Sequence, residues 1–376
     1  MTRHGIEAEV LLASVASHPL GRFETLSPDE FQMLCRDMHG AFPDVVRRSL
    51  PGGIELGVAR CLSKRAEIDL STPEPNPVDY DWRFDEQTAR LLADVIAQGA
   101  YREVLCVGAP TAYGAIRARG GAAFLIDHNP LLARILSTGS FLIREVSVEE
   151  ELAPHIDRRF DAAVVDPPWY PEAYDLWLSR TVPLLRAGAD LFLVVFRRFT
   201  RPNAEQERTQ LLRRLERIGR VSLEPFEAVY STPPFEQEVL RRLQLPRLPS
   251  WRAADVFRVT VFSDPDLSVF DPIAWSVAKW NRFDLGDQVV AVQDVRGDNG
   301  PIQVRNELPT EVTSVSQRDP SRAQYTVWTS RSRAAVVKGT KRLAAILGNS
   351  STTTIEQSDL QVANELSQKL LFQIRR

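Results

Sequence analysis

Asp166-Pro167-Pro168-Trp169 is the stretch of this chain whose residue types, in this order, could do chemistry. An exocyclic amine conjugated to a ring is a poor nucleophile because its lone pair is delocalised. A carboxylate oxygen of Asp166 and the carbonyl of Pro167 could accept its two N–H bonds and direct the lone pair at an electrophilic methyl group. The prolines lock the loop and offer no competing N–H donor. Trp169 presents a flat face on which a base or a cationic amine can stack. Positioning of two reactants then supplies a large part of the rate. In the bland alternative the prolines merely end a strand and Asp166 caps the next helix. The placement favours function: the tetrapeptide follows the apolar run Phe160 to Val165 and precedes a helix, and ligands of open α/β sheets bind beyond the carboxyl ends of strands.

A second constellation lies upstream. Val104 to Val107 reads as a short buried strand leading into the turn Gly108-Ala109-Pro110. Gly108 would let a cofactor approach the backbone closely, and Pro110 narrows the loop. The usual dinucleotide fingerprint has three glycines where this turn has one. About 20 residues on, a second strand ends in Asp127, where an acidic residue commonly holds ribose hydroxyls. Asp127 could equally cap a helix beginning near Pro130. Before the first strand, Trp82 and Phe84 could cover a cofactor, with Thr88 opening the following helix; packing of Trp82 or Phe84 onto the core explains them as well.

The elements that must position these residues are legible in outline. Residues 1–77 read as a helical N-terminal unit, opened by Ser27-Pro28-Asp29-Glu30 as a helix start and closed by a linker with prolines at 73, 75 and 77. From 78 to 264 apolar strands and helices alternate. Helices are expected over 86–97, 111–119, 130–136, 172–185 and 205–218. Strands are expected over 103–107, 122–127, 141–146, 160–166, 189–196, 220–230 and 256–262. Such alternation predicts an α/β fold with a mostly parallel sheet covered on both faces. Residues 265–376 read as a mixed α+β accessory region, with strands near 286–295 and 325–329, helices near 340–347 and 358–374, and a polar linker at 349–354.

Composition narrows the classes. The chain has 376 residues, 44% hydrophobic and 25% charged, which excludes wholesale disorder. Three cysteines without a CxxC pair or a histidine cluster argue against zinc and a disulfide framework and fit a reducing compartment. No signal peptide is apparent, and no run reaches the roughly 18 apolar residues of a membrane span, so a cytoplasmic, membrane-free protein is expected. The net charge of −3 excludes a polycation. Two stretches are nonetheless basic: Arg197 to Arg220 holds eight arginines against three glutamates, and Arg331 to Arg342 has no acidic residue. Either could track phosphates, or form a solvated helix face with paired charges.

Trp82 to Ala89, Cys106-Val107-Gly108-Ala109-Pro110, Phe124 to Asp127 and Asp166 to Tyr170 together resemble the probable N6-adenine methyltransferase family. So does Ala253 to Val261, which is similar to its closing strand. The likeness spans about residues 80–262. It implies a Rossmann-like fold and S-adenosylmethionine as cofactor. It places Asp166, Pro167, Pro168 and Trp169 in the catalytic positions and Gly108, Ala109, Pro110 and Asp127 in the cofactor positions, with Phe84 and Thr88 beside them. Members methylate RNA adenine or protein lysine, so the resemblance leaves the acceptor open. The expectation is an N-methyltransferase acting on adenine N6 of DNA or RNA. The alternatives are a protein-lysine methyltransferase and a non-catalytic scaffold in a multi-protein system.

Overall fold

The structure is a computed structural model. The residues it describes are 78, 82–127, 129, 132, 142–145, 152, 156, 159–198, 200–234, 236–237, 241, 252–272, 278–285, 288–305, 310, 322–331, 333–348 and 356–370. The expected N-terminal helical unit up to residue 77, the helix at 130–136 apart from residue 132, and the linker at 349–354 lie outside them.

Strand β1 (Arg83–Phe84) leads into helix α1 (Glu86–Gln98), then β2 (Val104–Val107), α2 (Pro110–Ala118), β3 (Ala123–Asp127), β4 (Leu142–Glu145) and β5 (Phe160–Val165). Helix α3 (Pro171–Thr181), β6 (Leu185–Phe196), α4 (Ala204–Ile218), β7 (Gly219–Ser231) and β8 (Ala253–Val261) complete the first sheet and its helices. Its strand order is β1-β7-β8-β6-β5-β2-β3-β4. β4, β3, β2, β5 and β6 run parallel, whereas β8 is antiparallel to β6, β7 to β8 and β1 to β7.

This order follows from the residues. Val104, Leu105, Cys106 and Val107 are all buried, as are Ala162 to Val165 and Leu191 to Phe196. Near-continuous apolar strands need cover on both faces, which crossover helices provide. α1 is capped by Asp85, whose carboxylate accepts the Thr88 N–H at 2.8 Å, and buries the stripe Thr88, Ala89, Leu92, Ala93 and Ile96. The expected helix at 172–185 stops at Thr181. Pro183 lies in the 3₁₀ turn Val182–Leu184 that follows, and its ring and missing N–H disfavour continuing the helix. The strand therefore starts at Leu185, before the run of apolar residues that the sequence marks.

A second, antiparallel sheet is formed by β9 (Trp280–Asp284), β10 (Val289–Gln293), β11 (Gln303–Arg305), β12 (Val327–Thr329) and β13 (Ala334–Lys338), in the order β11-β13-β12-β10-β9. Helices α5 (Thr340–Leu347) and α6 (Gln357–Leu370) share its core through Leu343, Ile346, Ala363, Leu366 and Leu370. The strands β9, β11 and β13 were not foreseen, being short and weakly alternating. Val78, just after the proline-rich linker, packs with Ala291, Tyr325, Trp328 and Ala334 of this sheet, and its carbonyl accepts from Arg322 at 2.8 Å. Among the described residues no helix is long and apolar enough to cross a membrane.

Candidate active site

From β2 the sheet grows outward through β3 to β4, and the chain then returns to the other side of β2 to lay down β5. Such a reversal opens a crevice at the carboxyl ends of the two strands where the order switches. Gly108 leaves β2 at that point and Asp166 leaves β5. The Asp166 N–H donates to the Val107 carbonyl at 3.2 Å, and the Gly108 N–H to the Ile126 carbonyl at 3.2 Å. Residues from the two predicted motifs, 58 positions apart, thus meet at the switch point.

Gly108 has φ +61°, a left-handed conformation that side chains disfavour. A Cβ there would also lie 2.5 Å from the Trp177 ring and 3.2 Å from the Asp166 carbonyl. The glycine is therefore required by the close approach of the two loops. Ala109 and Pro110 are buried, with Pro110 in the first turn of α2. The hydroxyl of Thr111, in the same turn, is buried without a hydrogen-bond partner among the described residues. Asp127 ends β3 next to β2, and its carboxylate accepts the Asn129 N–H at 2.8 Å. These residues line one side of the crevice.

The other side belongs to Asp166, Pro167, Pro168 and Trp169. Asp166 does not cap α3: Tyr170 occupies that position, with Pro171 in the first turn. Instead the Tyr230 hydroxyl donates to Asp166 Oδ1 at 2.6 Å. Burial, reinforced by the Asp166 charge, raises the Tyr230 phenol well above its usual range, so it stays protonated and keeps donating. The Tyr170 N–H donates to the Pro168 carbonyl at 2.7 Å, closing the loop tightly. Pro167 and Trp169 are buried.

Register explains how Tyr230 arrives. Phe84 faces Tyr230 across β1 and β7, and the Tyr230 N–H donates to the Arg252 carbonyl at 2.9 Å, just before β8. Three antiparallel neighbours therefore bring Trp82, Tyr230 and Arg252 to one end of the sheet. Trp169 and Trp82 both meet the Tyr230 ring edge-on, at 5.7 and 6.3 Å between ring centres. The Arg252 guanidinium lies 3.7 Å from the centre of the Trp169 ring and 4.6 Å from that of Trp82. A desolvated cation–π contact of this kind is worth on the order of 2 kcal/mol. Burial pulls the Arg252 pKa below its ordinary value, against the attraction of the Asp166 and Glu236 carboxylates.

Of the residues expected near a cofactor, Thr88 is buried and its hydroxyl accepts the Val229 N–H at 2.9 Å. It ties α1 to β7 and does not open the helix; Asp85 does. Phe84 is buried against Tyr230, with ring centres 5.1 Å apart. Trp82 stands with Trp169 against the Tyr230 ring. Sequence reasoning missed Tyr230, Arg252 and Trp177. No local motif marks them, since a lone tyrosine in a strand carries no signal until the register places it opposite a carboxylate.

The basic stretch at 197–220 is largely consumed internally. Arg197 pairs with Glu227, Arg198 with Glu205, Arg201 with Glu207, Arg208 with Asp255, Arg214 with Asp175 and Arg217 with Asp266. In the other stretch Arg342 pairs with Glu356 and Asp359, while Arg333 donates to the Lys369 carbonyl at 3.5 Å.

Residues 81–239 match the family described as Probable N6-adenine methyltransferase. The EEF1A lysine methyltransferase 1 of Gallus gallus is 28% identical over 123 residues, a match covering 30% of this chain and 56% of that protein. Among solved structures, a branched-chain polyamine synthase mutein from Thermus thermophilus aligns with a TM-score of 0.45 at 14% identity, over 52% of this chain and 61% of that one. A putative RNA methyltransferase from Pyrococcus horikoshii aligns with a TM-score of 0.35 at 14% identity, over 50% and 90%. Residues 81–239 are thus similar to the probable N6-adenine methyltransferase family, on a Rossmann-like α/β sheet.

Proposed function

We propose that this chain is an S-adenosylmethionine-dependent N-methyltransferase and that its acceptor is the side-chain amine of a protein lysine. The observation that carries the reading is the Asp166 carboxylate, held by Tyr230 at the switch point directly beside Gly108. The residues of the cofactor side fit the cofactor. The β2–α2 turn brings bare backbone to the crevice, the Thr111 hydroxyl is buried and lacks a partner, and Asp127 stands at the adjacent strand end for ribose hydroxyls. Gly108, Ala109, Pro110, Thr111 and Asp127 would hold it. When bound, S-adenosylmethionine supplies a sulfonium methyl group open to attack by a neutral amine. Once a lysine ammonium has lost its proton to solvent, Asp166 would accept an N–H of the neutral amine and aim its lone pair, while the Pro167 carbonyl would take a second N–H. The rigid proline pair keeps both acceptors fixed, so little is lost to reorganisation.

Three points favour lysine. The Trp169 face already carries a cation. Six arginines of the basic stretch at 197–220 are engaged by carboxylates of the same chain, which leaves a weaker phosphate track. The Gallus gallus relative is named a lysine methyltransferase. Adenine N6 is the second reading, favoured by the order Asp-Pro-Pro-Trp with its flat ring. The test is to incubate the purified chain with methyl-labelled S-adenosylmethionine and a cell extract, then to hydrolyse protein and nucleic acid separately. Label in methyl-lysine is expected. Label in N6-methyladenine transfers the assignment to the base. Absence of label, together with no cofactor binding in calorimetry, sinks the enzyme reading and leaves a scaffold.

A further inference from the structure

The acceptor side of the site holds a cation for which the proposed reaction has no use. The Arg252 guanidinium carbon lies 3.7 Å from the ring centre of Trp169, 4.6 Å from that of Trp82 and 5.7 Å from that of Tyr230. These rings come from three separate places: the β5–α3 loop, the residue before β1, and the end of β7. All three are buried. A buried guanidinium is ordinarily fixed by paired hydrogen bonds to a carboxylate. Here its Nε is buried with no hydrogen-bond partner among the described residues. Asp166 and Glu236 attract it through their charge, and the ring faces supply the walls. A site that walls a cation with ring faces and leaves its Nε without an acceptor selects for positive charge and slim shape. It does not demand the planar fork of arginine, so an alkylammonium meets the same requirements.

We infer that Trp82, Trp169 and Tyr230 form a cation-binding cage opening on Asp166, that its ligand is an alkylammonium such as a lysine side chain, and that Arg252 fills it as a competitor built into the chain. The inference deepens the proposed lysine reading and rests on Asp166 and Trp169 being the acceptor site. Arg252 then sets a threshold: only an acceptor whose flanking contacts offset the displaced guanidinium enters, and a free amine does not. Arg252 is thus a specificity-determining residue.

The experiment is a calorimetric titration of the full chain with two probes, n-butylammonium and guanidinium, for wild type, Arg252→Ala and Arg252→Ala with Trp169→Ala. Millimolar binding is expected in Arg252→Ala, at least tenfold weaker binding in wild type, and none in the double variant. Arg252→Met, which keeps the bulk of the stem without the charge, takes the place of Arg252→Ala if that variant does not fold, with the same direction expected. A folded variant that binds the probes no better than wild type overturns the cage. Transfer to a free lysine peptide is measured alongside, and a KM lowered in Arg252→Ala supports the threshold. Probe binding with label found only in adenine keeps the cage and removes the lysine reading. Label in lysine without probe binding does the reverse.

Discussion

The two sides of the crevice are built in different ways. The cofactor side is local: Gly108, Ala109, Pro110 and Thr111 are consecutive, and Asp127 ends the next strand. Its donors are backbone groups plus one orphaned hydroxyl. The acceptor side is assembled from afar: Asp166 and Trp169 from the β5–α3 loop, Trp82 before β1, Tyr230 at the end of β7 and Arg252 before β8. Its groups already satisfy each other through the Tyr230–Asp166 bond and the rings around Arg252. The difference teaches that one side presents backbone and an orphaned hydroxyl, while the groups of the other are already engaged with one another.

The sharpest way to break this division is Asp166→Ala. Methyl transfer should fall by about 10³-fold, with cofactor affinity within a few fold of wild type, because an oriented acceptor of this kind contributes on that scale. Calorimetry checks the second half, and cofactor binding lost together with transfer would falsify the separation of the two sides. Gly108→Val attacks the opposite side. A left-handed φ and a Cβ 2.5 Å from the Trp177 ring force the turn open, and the strain alone costs on the order of 2 kcal/mol. Cofactor affinity should drop at least about tenfold, and a lower melting temperature should accompany it. An unchanged affinity would mean the cofactor is held elsewhere.

Tyr230→Phe should slow transfer by about tenfold by leaving Asp166 less fixed, at nearly unchanged cofactor affinity. The pH dependence has a definite sign. The phenol is raised in the folded state, so the unfolded chain ionises first, and the stability Tyr230 contributes is present below about pH 10 and lost above it. A pH–rate profile therefore shows no limb from this tyrosine between neutrality and about pH 10. A falling limb there that disappears in Tyr230→Phe would contradict the role. The smallest effect belongs to Thr111→Val. Removing a buried, unpartnered hydroxyl stabilises the ligand-free chain by about 1 kcal/mol, while cofactor binding weakens a few fold. Destabilisation instead would show the hydroxyl to be engaged within the fold.

The amino-acid sequence by itself determined the first sheet and the local half of the site. Runs such as Val104 to Val107 and Ala162 to Val165 have one stable use, as strands covered on both faces, and the residues that follow such strands fall at the carboxyl edge. That is why Gly108, Asp127 and Asp166 could be named without coordinates. For Thr88 the sequence shows only a polar side chain near a helix start; the packing of α1 on β7 alone gives its hydroxyl the Val229 N–H. The second sheet was half legible, since β9, β11 and β13 are too short and irregular for their own pattern to betray them. Tertiary structure alone decided the acceptor half. Tyr230 reaches Asp166, and Arg252 reaches Trp169, because the antiparallel register of β1, β7 and β8 sets which residues share one end of the sheet, and register is a property of paired strands that no single strand's sequence displays.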